Sequence, residues 1–533
     1  MKIKGEDARW NDLRALVEDR AAENGERPLL TIEGHTITYG ELDHRSSILA
    51  GKLAAMGIAK GDRVASFSFN CIEQAIGLFA TVKLGAVWSP LNAGLVGGDL
   101  EQTLRDSGAK LLFLDPENLA KYESISASLR ADLSVYVIGS EALGGFPAMS
   151  PLLEGAADFP RTAIEPGDPA VIIYTGGTTG MPKGVILSHF AWICAGLRYV
   201  EAFQATAQDR HFSTLTQFHV GGLMFALIGP MIANMQSEQA RWFSVSNYWD
   251  RVRDSGATII DLVGPMITML CKQPRSPDDR NHKVRVSLGA VGQVPPQFPA
   301  EFEERFGIAL LRQFSQTESG GILTIYNPIG SGVADSVGKT SHWAEAEVVD
   351  EYDQPVRPGE MGEICLKQNI PFTFMSGYHN NPAQSLQTLR NQKLHTGDLG
   401  YIDEDGWLFF VGRQAHWLRR RGENISAYEV EKVLADYPGI REVVIVGVPS
   451  ELGEEEVKAF VIPDAETTID PLAMVAWCEG KLARFKIPRF VECVTDFPRS
   501  ATKQEIERNK LRDSDNSSAW DGEKVLGRRS SRG

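Results

Sequence analysis

The sequence predicts an α/β protein: a large N-terminal domain of α/β layers carrying a β-rich subdomain, followed by a small α+β C-terminal domain. Three observations carry this. The first third alternates segments of helical and strand periodicity, as layered and largely parallel sheets do. Between Gly330 and Gly362 the pattern changes to short alternating strands and turns. After Gly412 a shorter series of helix and strand patterns begins.

In chain order, "TYGELDHRSSILAGKLAAMG" places apolar residues at helical spacing and ends at Gly57, and "RVASFSF" then reads as a buried strand. "CIEQAIGLFATVKLGAVWSPLN", "LEQTLRDSG" and "AKLLFLD" repeat the alternation. Further on, "ATIIDLVG" is strand-like and "PQFPAEFEERFG" is a short helix closed by Gly307. In the C-terminal unit, "AYEVEKVLADY" and "PLAMVAWCEGKLA" predict helices, while "REVVIVGV", "EVKAFVI" and "RFVECV" predict strands. The polar, Gly/Ser-rich end predicts a disordered tail. The expected division is therefore 1–412, 413–512 and a tail of 513–533.

A chain of 533 residues exceeds one ordinary core. Its net charge of -15, with no basic block beyond Arg419, Arg420 and Arg421 and a weakly basic tail, excludes binding driven by nucleic-acid phosphates. The six cysteines are scattered without a CxxC pair, which predicts reduced thiols rather than a disulfide scaffold or a zinc site. The first residues carry acids throughout, and no apolar run reaches the roughly 18 residues of a membrane span. Together these predict a cytoplasmic location.

The chemistry begins at "YTGGTTGMPKG", residues 174–184. Glycines let a backbone approach a polyphosphate, Thr hydroxyls and amides donate to its oxygens, and a Lys supplies charge. A Walker loop would need Gly-Lys-Ser/Thr opening a helix. Here Lys183 is followed by Gly184 and the strand-like "VILSH", so the loop joins strand to strand. A second signal is "LHTGDLGYIDEDGWLFFVGR", where Asp405-Gly406 predicts a two-residue hairpin. Pairing Glu404 with Trp407 sets a register in which paired numbers sum to 811, so Asp398 faces Arg413. Such a pair could grip ribose hydroxyls or be a simple cross-strand ion pair.

"YTGGTTGMPKGVILSH", "QFSQTESGG", "LHTGDLGYIDEDGWLFFVGR", "GRQAHWLRRRGENISAYEVE" and "PRSATKQEIERNKLR" follow one another as the motifs of the adenylate-forming superfamily do. The chain resembles that superfamily from about Arg27 to Arg512, and within it the AMP-dependent carboxylate–CoA ligases, or acyl-CoA synthetases. The resemblance implies that Thr175, Gly177, Thr178, Thr179, Gly180 and Lys183 bind the phosphates of ATP. It implies that Phe314 lies against adenine, Thr317 reaches phosphate, and Glu318 holds Mg2+ together with Thr178. Asp398 and Arg413 take the ribose, and Gly422 lets the pantetheine of CoA pass. Lys503 is the implied catalytic lysine, with Glu318, Thr178 and Lys183, and Lys510 is its weaker rival. Gly176 stands where the superfamily usually has Ser, Ser315 where it has Gly, and His416 at the hinge of a mobile C-terminal domain.

The implied activity is ATP-dependent activation of a carboxylic acid as an acyl adenylate, with release of pyrophosphate and transfer of the acyl group to CoA. The acyl site would include Phe218, His219, Val220, Gly289, Val291 and Ser315, mixed apolar with polar tips. "TQFHVGG" lacks the Asp with which amino-acid-activating relatives hold an ammonium, so a simple organic acid, of the kind met in fatty acid metabolism, is expected. Partners are that small-molecule acid, ATP and CoA, with no nucleic acid and no membrane span; a homodimer stays open. Two alternatives remain, an acyl-AMP ligase loading a carrier protein and a non-catalytic nucleotide-binding homologue.

Overall fold

The computed structural model describes residues 1–525 except 178–179, 290–296, 332, 334, 414–416, 421–422, 450–454, 466, 480 and 500–505. Two large sheets form its N-terminal part. One has the strand order Gly377–Tyr378, Gly180–Ser188, Pro169–Gly177, Val87–Leu91, Arg63–Phe67, Ala109–Leu114, Ser134–Val137. Its last five strands run parallel. The crossovers between them include the helices Ile72–Lys83 and Gly97–Ser107. Helix Tyr39–Ala55 starts at a capping box: Thr38 and Glu41 each satisfy the other's backbone N–H.

The second sheet runs Ile325–Tyr326, Ala309–Phe314, Val286–Gly289, Ile259–Leu262, Arg210–Ser213, Gln236–Gln239, Pro28–Ile32, His35–Thr38. Its six inner strands are parallel. Burial explains the sequence pattern: every residue of helix Ile72–Lys83 except Glu73 is buried, and Trp88 and Trp192 are fully enclosed. The carboxyl ends of four parallel strands, at Ser213, Leu262, Gly289 and Phe314, open on one edge, where α/β sheets bind ligands.

A five-stranded antiparallel sheet, Gly338–Lys339, Trp407–Arg413, Leu394–Ile402, Gly362–Gln368, Ala344–Val349, is the predicted β-rich subdomain. Its hairpin differs from the two-residue turn expected. Asp403 N donates to Trp407 O and Gly406 N to Asp403 O, making a three-residue loop with Gly406 at φ +82°. Next to the loop the paired numbers therefore sum to 810, as in Ile402 with Leu408. A β-bulge between Leu399 and Gly400 adds the missing residue, and Asp398 does face Arg413. Two departures cancel at the functional end.

The C-terminal unit holds the hairpin Trp417–Arg420/Glu423–Ser426, the helix Ala427–Ala435, and a sheet ordered Ile440–Pro449, Glu455–Pro463, Phe490–Cys493, Trp520–Asp521. It buries its own apolar cluster around Ile425, Val430, Leu434, Val457 and Val491. Helix Pro471–Trp477 is shorter than its sequence pattern suggests, ending where Cys478 turns toward Leu482. The expected disordered tail is corrected in its first part. Trp520–Asp521 pairs antiparallel with Phe490–Cys493, Asp521 pairs with Arg489 at 3.2 Å, and Trp520 packs on the unit's core. One indole and one ion pair order a segment whose composition is otherwise polar.

Candidate functional site

The Gly/Thr loop lies between two antiparallel strands, as its context required. Thr175 pairs with Lys183, and Tyr174 with Gly184. Thr178 and Thr179 fall outside the described residues, as do the side-chain environments of Gly177 and Gly180. Lys183 is partly buried, its Nζ lies 5.4 Å from the centre of the Tyr378 ring, and it has no carboxylate partner among the described residues. A cation held over a ring and left without a counter-charge suits an incoming polyphosphate.

Tyr378 reaches further. Strand Gly377–Tyr378 pairs with Val185 and Ile186, and the Tyr378 hydroxyl donates to Glu318 Oε1 at 2.8 Å. Burial and the neighbouring Glu318 both raise the Tyr378 pKa, so the phenol stays a donor. Glu318 sits in the single 3-10 turn Thr317–Ser319 after strand Ala309–Phe314, and its carbonyl accepts from Met375 N at 2.9 Å. With Oε1 oriented by Tyr378, the second carboxylate oxygen suits a hard cation that keeps water and phosphate as its other ligands. This donor chemistry fits Mg2+.

Gln316 joins that turn to the ribose hairpin. Its Nε2 donates to Asp398 Oδ2 and to Thr396 O, each at 2.8 Å. Asp398 is 4 % exposed, and Arg413 Nε lies 3.6 Å from its Oδ1 with a side chain 46 % exposed. Burial pushes the Asp398 carboxyl up to about 6, outweighing Arg413 and Gln316, which pull it down. Burial wins because the guanidinium stays half in water, where its attraction is screened.

The sign of that shift gives a test. In the ligand-free protein the raised carboxyl stabilises the fold below the unfolded value near 4, and this is lost as pH rises through about 6. Asp398→Asn should therefore gain thermal stability relative to wild type on going from pH 5 to pH 8. Ribose hydroxyls donate to the ionised form, so binding runs the other way. Affinity for adenosine, which does not ionise in this range, should fall about tenfold from pH 7.5 to pH 5 in wild type. It should be weaker and flat in Asp398→Asn; parallel profiles in a calorimetric titration would leave only an ion pair.

The acyl residues gather at the open sheet edge. Gly289 ends its strand opposite Arg312, Phe314 ends the next, and Ser315 Oγ donates to Gln313 Oε1 at 2.6 Å. Phe314 is 5 % exposed, with its ring centre 6.0 Å from that of Phe410. Phe218 is buried, its ring edge-on to His219 at 4.7 Å, and His219 N-caps the turn Val220–Leu223. A π-helical turn, Met224–Ile228, follows at once, a distortion frequent beside functional sites. A Cβ built on Gly321 would come 2.8 Å from Val220 Cγ2, so the Glu318 turn and the His219 segment touch. Val291 lies outside the described residues.

Gly422, His416 and Lys503 also lie outside the described residues. The ends of the segment bearing Lys503 are joined by a bridge between Arg499 and Ile506 and by Glu507 N donating to Pro498 O at 2.8 Å. Lys510 is exposed and paired with Glu507 at 2.6 Å, a surface ion pair. Of the three arginines considered for CoA phosphates, Arg420 is instead buried against Glu456 at 2.6 Å and the carbonyls of Phe485 and Ile487. Gln316 and Tyr378 carried no sequence signal for their roles, because each acts on a partner 60 or more residues away.

The AMP-binding enzyme family matches residues 17–379, and its C-terminal domain family matches 429–504. A crotonobetaine/carnitine–CoA ligase of Salmonella enteritidis is 31% identical over 93% of this chain and 98% of its own length. The ATP-bound MatB structure from Rhodopseudomonas palustris superposes with a TM-score of 0.84 at 27% identity, covering 94% of this chain and 98% of that one. The o-succinylbenzoate coenzyme A synthetase MenE of Bacillus subtilis, in complex with AMP, superposes with a TM-score of 0.80 at 26% identity over the same shares.

Proposed function

The chain belongs to the AMP-binding enzyme family and is an AMP-forming acid–thiol ligase, and on that premise we propose how its residues divide the work and what acid they activate. A carboxylate cannot expel oxide, so it is first given a better leaving group. One oxygen of the substrate carboxylate attacks the α-phosphorus of ATP and pyrophosphate departs. The CoA thiolate then attacks the acyl carbonyl, the carbonyl–phosphate bond breaks, and AMP leaves with the electron pair.

Lys183, with Thr178 and Thr179, manages the departing pyrophosphate, and Lys503 meets the charge developing at the α-phosphate. Glu318 would hold Mg2+ with Thr178; the ion supplies charge neutralisation at the phosphates. Asp398 and Arg413 fix the ribose, and Phe314 borders the adenine. The C-terminal domain, from residue 413, moves between the two half-reactions, withdrawing Lys503 and bringing Gly422 to the pantetheine path. Phe218, His219 and Val220 border the acyl group. The closeness of His219–Val220 to the Glu318 turn is the observation that carries this reading, because it puts the acyl wall beside the phosphate-handling carboxylate.

The acid is a short, aryl or alicyclic carboxylic acid, as the enclosed mixture of Phe218, His219 and Ser315 favours. A cytoplasmic setting suits six free cysteines, and among the described residues no helix is long and apolar enough to cross a membrane. The test is pyrophosphate release with ATP and Mg2+ across a panel of acids including carnitine, crotonobetaine and o-succinylbenzoate, with and without CoA. One acid should give release that becomes sustained turnover when CoA is added. Turnover with a holo-carrier protein and none with CoA would overturn CoA as acceptor, and nucleotide binding without release for any acid would overturn catalysis.

A further inference from the structure

Helix His189–Phe203 runs through the core behind the site and carries a charge the ligase reading does not use. The Arg198 side chain is fully buried. Its Nη2 donates to Gly320 O at 2.5 Å, while Nε and Nη1 have no partner and no carboxylate pairs with the guanidinium among the described residues. The nearest titratable neighbour is Cys194, one turn earlier, whose thiol is kept neutral by burial, which pushes it up to about 12. Burial draws Arg198 down to about 10, which still leaves it cationic at neutral pH.

An isolated buried charge costs several kcal/mol unless it is paired. Every other buried arginine with an ion pair here, such as Arg305 with Asp279 or Arg420 with Glu456, shows what that pairing looks like. Arg198 is placed to receive its partner from outside the chain. Gly320 and Gly321 directly follow the Glu318 turn; a Cβ on Gly320 would lie 3.4 Å from Arg198 Nη2, and one on Gly321 would reach Val220. The guanidinium thus sits behind the catalytic turn and next to the acyl wall.

We propose that Arg198 is a specificity-determining residue that binds the far end of the acyl substrate, and that this substrate is a dicarboxylic acid whose second carboxylate pairs with Arg198 while the first is activated. The inference rests on the ligase reading and narrows it. A charge-assisted pair replaces the uncompensated cation, whereas an apolar tail leaves it unpaired and a quaternary ammonium tail meets like charge.

The experiment measures kcat/KM for pyrophosphate release with wild type, Arg198→Gln and Arg198→Lys. The probes are straight-chain α,ω-dicarboxylic acids of four to eight carbons, benzene dicarboxylic acids, the matching monocarboxylic acids and carnitine. Wild type should prefer its best diacid over the matched monoacid by about 10- to 100-fold and give least with carnitine. Arg198→Gln should bring that ratio near one, chiefly by raising KM for the diacid, and Arg198→Lys should retain part of it. A residue that merely props the Gly320 carbonyl would lower both acids equally, so an unchanged ratio in Arg198→Gln overturns the proposal. Should that variant not fold, wild-type preference for monoacids overturns it as well. Release with monoacids alone leaves the ligase standing without this inference; release with no acid in wild type overturns both.

Discussion

Lys503→Ala should lower pyrophosphate release by about 100- to 1,000-fold and leave thioester formation from supplied acyl adenylate within a few-fold of wild type. The asymmetry follows from where charge develops. Attack on the α-phosphate builds negative charge at phosphorus and needs a nearby cation, while attack of a thiolate on an adenylate expels AMP from an anhydride that is already activated. The segment carrying Lys503 is closed at its base by Arg499 and Ile506, and Arg499 also pairs with Glu442 at 2.5 Å. Glu442 in turn holds Lys272 at 2.6 Å, so the base of the loop is tied to the larger part of the molecule. Lys510→Ala, which loses only the exposed pair with Glu507, serves as the control and should change neither half-reaction. Equal losses for Lys503→Ala in both half-reactions, measured by pyrophosphate release and by CoA thioester formation, would remove it from this role.

Glu318→Gln should be of similar size, about 100- to 1,000-fold in adenylation, with the apparent Mg2+ requirement shifted to higher concentration. The substitution keeps shape and removes charge. Its amide can still accept from the Tyr378 hydroxyl, so the turn Thr317–Ser319 should stay in place while the hard anionic ligand is gone. A magnesium titration of pyrophosphate release separates the outcomes. If Glu318→Gln keeps the wild-type magnesium dependence, the carboxylate is a structural acceptor for Tyr378 and nothing more.

The motif residues were legible because each motif is continuous in the chain. The strand-to-strand context of Lys183 followed from "VILSH", and the structure places it in strand Gly180–Ser188. The facing of Asp398 and Arg413 was also legible, although its derivation was not: a three-residue turn replaced the two-residue one and a bulge restored the register. Gln316 and Tyr378 could not be read in the same way. Each is an ordinary polar residue until the fold brings Asp398 or Glu318 against it. Arg198 was hidden for a related reason, since its place in an apolar helix resembles the solvated end of an amphipathic pattern, and only packing shows that it is enclosed without an acidic partner.

Local pattern settled the α/β class, the parallel layers, the β-rich subdomain and the order of the motifs, because periodicity and turn residues act over a few neighbours in the chain. It could not weigh interactions between segments far apart. Long-range packing chose the raised carboxyl of Asp398, through burial outweighing a half-exposed Arg413. It ordered Trp520–Asp521 against Phe490–Cys493 in a stretch whose composition favoured disorder. It also enclosed Arg198 behind Gly320, since desolvation depends on everything that surrounds a group in space and almost nothing of that surrounding is adjacent in sequence.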